Sequence, residues 1–202
     1  MGTLSRREYT IECVLFARVM ILALGWILWG LPFLLAKRAT SAPVTLDRRA
    51  RWGIALQGVG YALLWLGKPW LHPSQPWRIG LSAVCLAVAC VFSWTSVRAL
   101  GPQWRVDAGL SADHELVRSG PYRVVRHPIY TSMLYMLLGT GFMVTPWLLF
   151  LPALMVFIIG TEIRVRIEDG LLASRFGEIF REYQQTVPAY IPFLYDAVGR
   201  NS

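Results

Sequence analysis

Charge is scarce in this sequence. Only 16% of its 202 residues are Asp, Glu, Lys or Arg, where soluble domains carry roughly a quarter. Hydrophobic residues make up 55%, and the mean hydropathy is +0.45. A single soluble core cannot hide that much apolar surface, but a bilayer can. Cysteine is scarce too. Cys13, Cys85 and Cys90 all lie in apolar runs, without the paired spacing of a disulfide framework or a zinc site. They read as small buried hydrophobes, and no metal is expected. Acids are few, 12 against 20 Lys and Arg, so the net charge is +8. A basic balance can serve nucleic acid or anionic lipid. Here the basic residues sit in short segments between apolar runs, which fits the positive-inside rule and membrane lipids rather than nucleic acid. No internal repeat and no low-complexity segment is present.

The first apolar run extends roughly from Cys13 to Ala36. Arg6 and Arg7 precede it as in a signal peptide, but the run is too long and lacks a clean small-residue cleavage site. It reads as a first span, with Arg18 snorkelling to the interface in preference to acting as a functional charge. A basic connector follows, with Lys37, Arg38, Arg48, Arg49 and Arg51. A second span is expected from about Trp52 to Leu71, then a turn from His72 to Pro76. A third is expected from Ile79 to Val97, rich in the small residues that let helices approach closely.

From Arg98 to Pro128 the chain is polar and long enough to suggest a functional connector. Two short apolar runs follow, Ile129 to Thr145 and Pro146 to about Gly160, and they predict a tight helical hairpin. Beyond Thr161, Ile163, Ile167, Leu171, Ile179 and Tyr183 recur at helical spacing. They predict a helix that leaves the membrane and ends before Val187-Pro188 and Ile191-Pro192. The expectation is an all-α integral membrane protein of about five transmembrane helices, the last two a short hairpin. The N-terminus lies outside and the basic connectors lie in the cytoplasm.

Three segments concentrate unusual residues: Gly120 to Arg123, Arg126 to Tyr130, and Arg164 to Gly177. If the last two spans form a hairpin, all three meet at one membrane face. Proline disfavours helix in the residue before it and favours the first helical position. His127 should therefore sit at an N-cap, with Pro128 opening a helix whose free amides and positive end suit an anion. Arg123 and Arg126 add charge there; lipid headgroups are the alternative target. Adjacent acids Glu168-Asp169 near a membrane exit are costly unless used or solvated. Arg164 shares a helix face with Glu168, which spacing alone favours reading as a plain surface ion pair.

The run Gly120-Pro121-Tyr122-Arg123, Arg126-His127-Pro128 and Tyr130, with Glu168-Asp169, Phe176-Gly177-Glu178, Tyr183, Val187-Pro188 and Ile191-Pro192, carries a resemblance. It is similar to the isoprenylcysteine carboxyl methyltransferase and phospholipid methyltransferase families, over roughly residues 98–193. The segments Ala99-Leu100-Gly101 and His114 to Val117 fit as well. The apolar runs give a three-span membrane region, 1–97, followed by a region, 98–202, with a C-terminal amphipathic helix; the resemblance implies that this second region is catalytic, with a cytosolic cofactor-binding end. The implied cofactor is S-adenosyl-L-methionine and the implied partner a lipophilic methyl acceptor entering from the bilayer. By position, Gly120, Pro121 and Tyr122 shape the cofactor pocket, and Arg126, His127, Tyr130, Glu168 and Asp169 contact the cofactor. Arg164 and Glu168 are the catalytic candidates, Arg164 orienting the acceptor.

Two positions depart from the pattern: Asp169 replaces a second glutamate, and Ser132 stands where glycine is common. A carboxylate is the acceptor the resemblance favours, with a thiol or phospholipid amine as alternatives. Two other readings compete. An NADPH-dependent sterol-type reductase shares an Arg-His-Pro segment but is generally longer. A non-enzymatic bundle fits poorly with polar residues gathered at one face.

Overall fold

The computed structural model describes residues 6–36, 45–66, 75–104, 109–110 and 115–192. Six helices follow in order: α1 (Arg6–Leu35), α2 (Ala50–Leu63), α3 (Pro76–Leu100), α4 (Pro128–Val144), α5 (Trp147–Phe176) and α6 (Glu178–Thr186). A two-residue antiparallel pairing joins β1 (Thr45–Leu46) to β2 (Gly109–Leu110). It ties the connector before α2 to the connector before α4. Apart from that pairing, the described residues form helices and turns.

Sequence signals set the helix ends. Pro76 and Pro128 open α3 and α4 at the first turn, where a missing amide costs nothing. Gly101 and Gly177 close α3 and α5 at φ values of 54° and 55°, a conformation that suits glycine. Three stretches are long and apolar enough to cross a membrane: Glu12–Leu35, Pro76–Gln103 and Trp147–Phe176. Their outward side chains, among them Phe16, Leu24, Ile27, Leu148 and Met155, are exposed large apolar groups, as lipid contact requires. The chain is a helical membrane protein.

Three expectations change in detail. No helix boundary falls at Thr161. α5 is one helix of 30 residues, because hydropathy drops there but no residue stops the helix before Gly177. The predicted emergent helix is therefore the continuation of α5, and α6 is a separate turn of chain beyond Gly177. The last two spans are not a matched short hairpin either. They share the turn at Thr145-Pro146, but α4 packs chiefly along α3, and α5 packs along α2. The second span is helical only to Leu63 and turns over residues 64–66; residues 67–71 of its expected extent, and His72, lie outside the described residues.

Glycine makes the α2–α5 contact possible. A Cβ on Gly160 would sit 2.7 Å from the Gly53 carbonyl oxygen and 2.9 Å from the Gln57 amide nitrogen. A Cβ on Gly60 would sit 2.9 Å from the Ala153 carbonyl oxygen. The backbones therefore touch, the small-residue mode of membrane helix association. Across this seam Gln57 Nε2 donates to Thr161 Oγ1 at 2.9 Å. On the other side, Ser82 donates to the Gly139 carbonyl at 2.6 Å and joins α3 to α4.

Arg18 does not snorkel. It is 6% exposed, and its Nη2 donates to the Met143 carbonyl at 2.9 Å. Arg78 joins it, donating to the carbonyls of Gly141 at 3.1 Å and Thr145 at 2.5 Å. Two cations thus meet the negative end of α4, where the helix dipole favours them. The cysteines split: Cys85 is buried, Cys90 intermediate and Cys13 exposed on the lipid-facing side of α1. The opposite face gathers the C-terminal ends of α1, α3 and α5 with the N-terminal ends of α2 and α4. The β1–β2 pairing and the three unusual segments belong to that face.

Candidate active site

The segment before α4 is built as a bracket. Gly120 takes φ 61°, and residues 120–123 wind into a 3₁₀ turn with Tyr122 buried. Arg126 and His127 then pair through their backbones with the C-terminal stretch. The Arg126 amide donates to the Pro188 carbonyl at 2.8 Å, and the His127 amide donates to the Ala189 carbonyl at 2.7 Å. Thr131 Oγ1 donates to the Tyr190 carbonyl at 2.7 Å, and the Tyr183 hydroxyl donates to the Tyr122 carbonyl at 2.5 Å. The tail beyond α6 is thereby strapped across the start of α4, next to the acids on α5.

His127 occupies the N-cap of α4, as the proline after it requires. Its imidazole does not cap the helix. It lies between two carboxylates: Nε2–H donates to Asp169 Oδ1 at 2.8 Å, and Nδ1 faces Glu168 Oε2 at 3.4 Å. Burial alone would push this imidazole down, but hydrogen bonds to Asp169 and Glu168 outweigh burial and raise it to about 9. The ring is therefore an imidazolium near neutral pH, donating on both sides.

Arg126 works inward. It is 4% exposed. Its guanidinium donates to the carbonyls of Gln184 at 3.1 Å and Val187 at 2.5 Å, and to Asp169 Oδ2 at 2.9 Å. Those carbonyls end α6, so Arg126 neutralises a helix C-terminus and a buried acid at once. Asp169 also accepts from Gln184 Nε2 at 3.2 Å. This acid is saturated by His127, Arg126 and Gln184.

Glu168 stands differently. It accepts from the Tyr130 hydroxyl and from Arg164 Nη2 at 3.3 Å, and its side chain keeps 23% exposure. Arg164 also stacks over the Tyr130 ring, with 5.2 Å from Cζ to the ring centroid, a cation–π contact. It is buried, so the plain surface ion pair considered from spacing does not describe it.

These groups line one end of a cavity of about 710 Å³, within the range of small-molecule sites. Tyr122, Arg126, His127, Tyr130, Arg164 and Glu168 line it; Gly120, Pro121 and Asp169 do not. The last three support the wall from behind. Phe180, Leu171 and Leu172 add apolar surface near the acids, and Gln103, Trp104 and Glu115 come from the chain after α3. The cavity continues as an apolar arm between α1 and α2, lined by Trp29, Phe33, Ile54 and Tyr61 among others. Trp29 Nε1 donates to Ser132 Oγ at 3.1 Å. The unusual serine thus fixes a wall residue of that arm.

Sequence reasoning located the polar end and missed the arm. Aromatic residues of α1 and α2 look like any lipid-facing apolar residue until the fold turns them inward. Gln57, an amide inside an apolar span, was the available signal and passed unread.

Over 120 residues, 58% of this chain and 42% of the relative, the chain is 34% identical to protein-S-isoprenylcysteine O-methyltransferase of Tribolium castaneum. It is 27% identical over 98% of its length to methanethiol S-methyltransferase of a Pseudomonas species, covering 64% of that protein. The cobalt-zinc-cadmium resistance protein CzcN of Cupriavidus metallidurans is 38% identical over 41% of this chain and 38% of its own length. In each case the chain spans less than two thirds of the relative's length. The profile of the phospholipid methyltransferase family matches residues 77–179, about half of the chain and the stretch that builds the acid–imidazolium–arginine cluster, so the chain belongs to that family.

Proposed function

We propose that this protein transfers a methyl group from S-adenosyl-L-methionine to a lipophilic acceptor, with a carboxylate as the favoured acceptor. The observation that carries the reading is the single cavity that joins the Glu168–Arg164–His127 cluster to an apolar arm between α1 and α2. A donor that is charged at one end and a lipophilic acceptor need such a two-ended space.

The residues fit the donor. Glu168, facing the cavity with part of its carboxylate exposed, suits an ammonium group. The His127 imidazolium holds Glu168 in place, and Tyr122 and Phe180 offer apolar surface to an adenine. When bound, the donor supplies an electrophilic methyl group on a sulfonium, so catalysis is largely positioning. Arg126 and Asp169 support the His127 ring from behind. Arg164, held by Glu168 and the Tyr130 ring, keeps a charge at any physiological pH and orients an anionic acceptor. Neither His127 nor Tyr130 is offered as a base to the acceptor. Both His127 nitrogens are engaged, and the Tyr130 hydroxyl donates to Glu168. A carboxylate arrives already ionised and needs no such base, whereas an amine must first lose a proton. A thiol acceptor is the second reading, favoured by the relative named methanethiol S-methyltransferase, which aligns along 98% of the chain.

The cluster lies on the face that carries the basic connectors, which supports a cytoplasmic site with the N-terminus outside. Purified protein titrated with S-adenosylhomocysteine and, separately, with NADPH tests the reading. Saturable binding of the first alone is expected; binding of NADPH alone would replace the methyltransferase with a reductase. Reporter fusions at both termini test the orientation, and an extracytoplasmic C-terminus would contradict it.

A further inference from the structure

Gln57 is a polar residue of the cavity wall that the cluster leaves out. It sits on α2 between Ile54 and Gly58, in the apolar arm, and it lines the cavity. It is 2% exposed. Its Nε2 is used, donating to Thr161 Oγ1 at 2.9 Å. Its Oε1 is buried and has no hydrogen-bond partner. A buried amide oxygen without a donor is unfavourable in an apolar setting, and such groups are nearly always satisfied in the working state. The neighbouring polar group does not answer it: the Tyr61 hydroxyl is spent on the Met133 carbonyl at 2.7 Å.

Position gives this oxygen a meaning. Thr161 and Arg164 are three residues apart on α5, hence neighbours on one face at about 5–6 Å between Cβ atoms. On α2, Gly53 packs directly against the Arg164 side chain, and Gln57 lies one turn further from the site face. Along α2 the cavity wall therefore meets the Arg164 side chain first and Gln57 one helical turn deeper.

We infer that Gln57 is a specificity-determining residue of the acceptor end: its Oε1 accepts a hydrogen bond from an N–H or O–H group on a lipophilic acceptor whose anionic head faces Arg164. The inference rests on the methyltransferase reading for the word acceptor, but the binding it requires does not depend on the methyl donor. The ligand class is an amphiphile with an anionic head, a hydrogen-bond donor a few bonds away and an apolar tail. A plain fatty acid or alkane thiol lacks the middle element.

N-lauroylglycine and N-lauroylsarcosine have the same tail and carboxylate and differ by N–H against N–CH₃. Their affinities for the full chain in lipid nanodiscs, measured by calorimetry against empty nanodiscs, test the inference. The wild type should bind N-lauroylglycine at least about 10-fold more tightly, equivalent to about 1.4 kcal/mol. In Gln57→Leu the two affinities should converge. A preference that came only from the bulk of the extra methyl group would persist in Gln57→Leu and would overturn the inference. Equal affinities in the wild type, or saturable binding of neither probe, would overturn it without any variant having to fold. Titrating the same preparation with S-adenosylhomocysteine separates the two failures. Binding of S-adenosylhomocysteine without discrimination between the probes sinks the role of Gln57 alone. Discrimination without S-adenosylhomocysteine binding sinks the methyl-transfer reading and leaves the ligand class standing.

Discussion

The Gly53–Gly160 contact joins two helices that both line the cavity, so Gly160→Ala is a sharp perturbation. The added Cβ would meet the Gly53 carbonyl oxygen at 2.7 Å, the Gln57 amide nitrogen at 2.9 Å and Leu56 Cβ at 2.9 Å. Ordinary contact begins at 3.4 Å, so α2 must retreat by about 0.7 Å, the difference between 3.4 and 2.7 Å. Two of the three obstacles are backbone and cannot turn aside as a side chain can. Overpacking of this kind costs about 1–3 kcal/mol, against a gain of up to about 1 kcal/mol from replacing a helical glycine. Gly170→Ala on the same helix is the control, since nothing lies within 4 Å of its added Cβ. Thermal unfolding in detergent should show Gly160→Ala below wild type and Gly170→Ala at or above it. Because Gln57 and Arg164 both pack at this seam, ligand binding in Gly160→Ala should weaken as well. Equal midpoints for the two variants would refute the claim that backbone contact holds α2 to α5.

Three further outcomes follow from the cluster. Asp169→Asn removes the acid that Arg126 and His127 share, and breaking a buried pair on one side costs roughly 3–5 kcal/mol; limited proteolysis should find the C-terminal strap at Pro188–Tyr190 released. The His127 imidazole is raised from 6.5 to about 9 in the folded protein. Its stabilisation is therefore complete below about pH 6.5 and lost as pH rises to about 9; unfolding midpoints should fall across that window in the wild type and be flat in His127→Asn. Arg164→Ala should spare S-adenosylhomocysteine affinity while lowering turnover 10-fold or more, about 1.4 kcal/mol, whereas Arg166→Ala should leave both near wild type. Arg166 is 78% exposed in its pair with Glu162, an interaction worth about 0.3–0.5 kcal/mol. Joint loss of affinity and turnover in Arg164→Ala would reassign Arg164 to bracing Glu168.

The legible parts of this protein were those governed by local chemistry. Pro128 after His127 forces an N-cap whatever surrounds it, so the imidazole was correctly put at the head of α4. The i, i+4 spacing put Arg164 beside Glu168, and the two are within 3.3 Å. The parts that were not legible depend on pairings across the chain. Arg18 looks like a snorkelling arginine from its own helix, and only the arrival of the α4 terminus 125 residues later gives it a partner. Asp169 and Glu168 are adjacent acids in the sequence. Their 100° separation around α5 turns one into the Arg126–Gln184 network and leaves the other on the cavity wall. Hydropathy falls after Gly160, yet α5 runs on as helix to Phe176 because no residue before Gly177 interrupts it.

Division of labour within the cavity follows from where the family match begins and ends. Residues 77–179 supply Tyr122, His127, Tyr130, Arg164 and Glu168, the end proposed to hold the donor. The arm is walled by Trp29, Phe33, Ile54, Gln57 and Tyr61, all upstream of that match. A shared donor constrains the first set through fixed charges, whereas hydrocarbon walls impose only shape and the occasional hydrogen bond. Methyl-acceptor choice can therefore change by substitutions in α1 and α2 without disturbing the imidazolium between its two acids. Relatives named for acceptors as different as an isoprenylcysteine and methanethiol are what such an arrangement allows. On the proposed reading, the residues to read for the acceptor are those of the arm, Gln57 with its unpartnered amide oxygen among them.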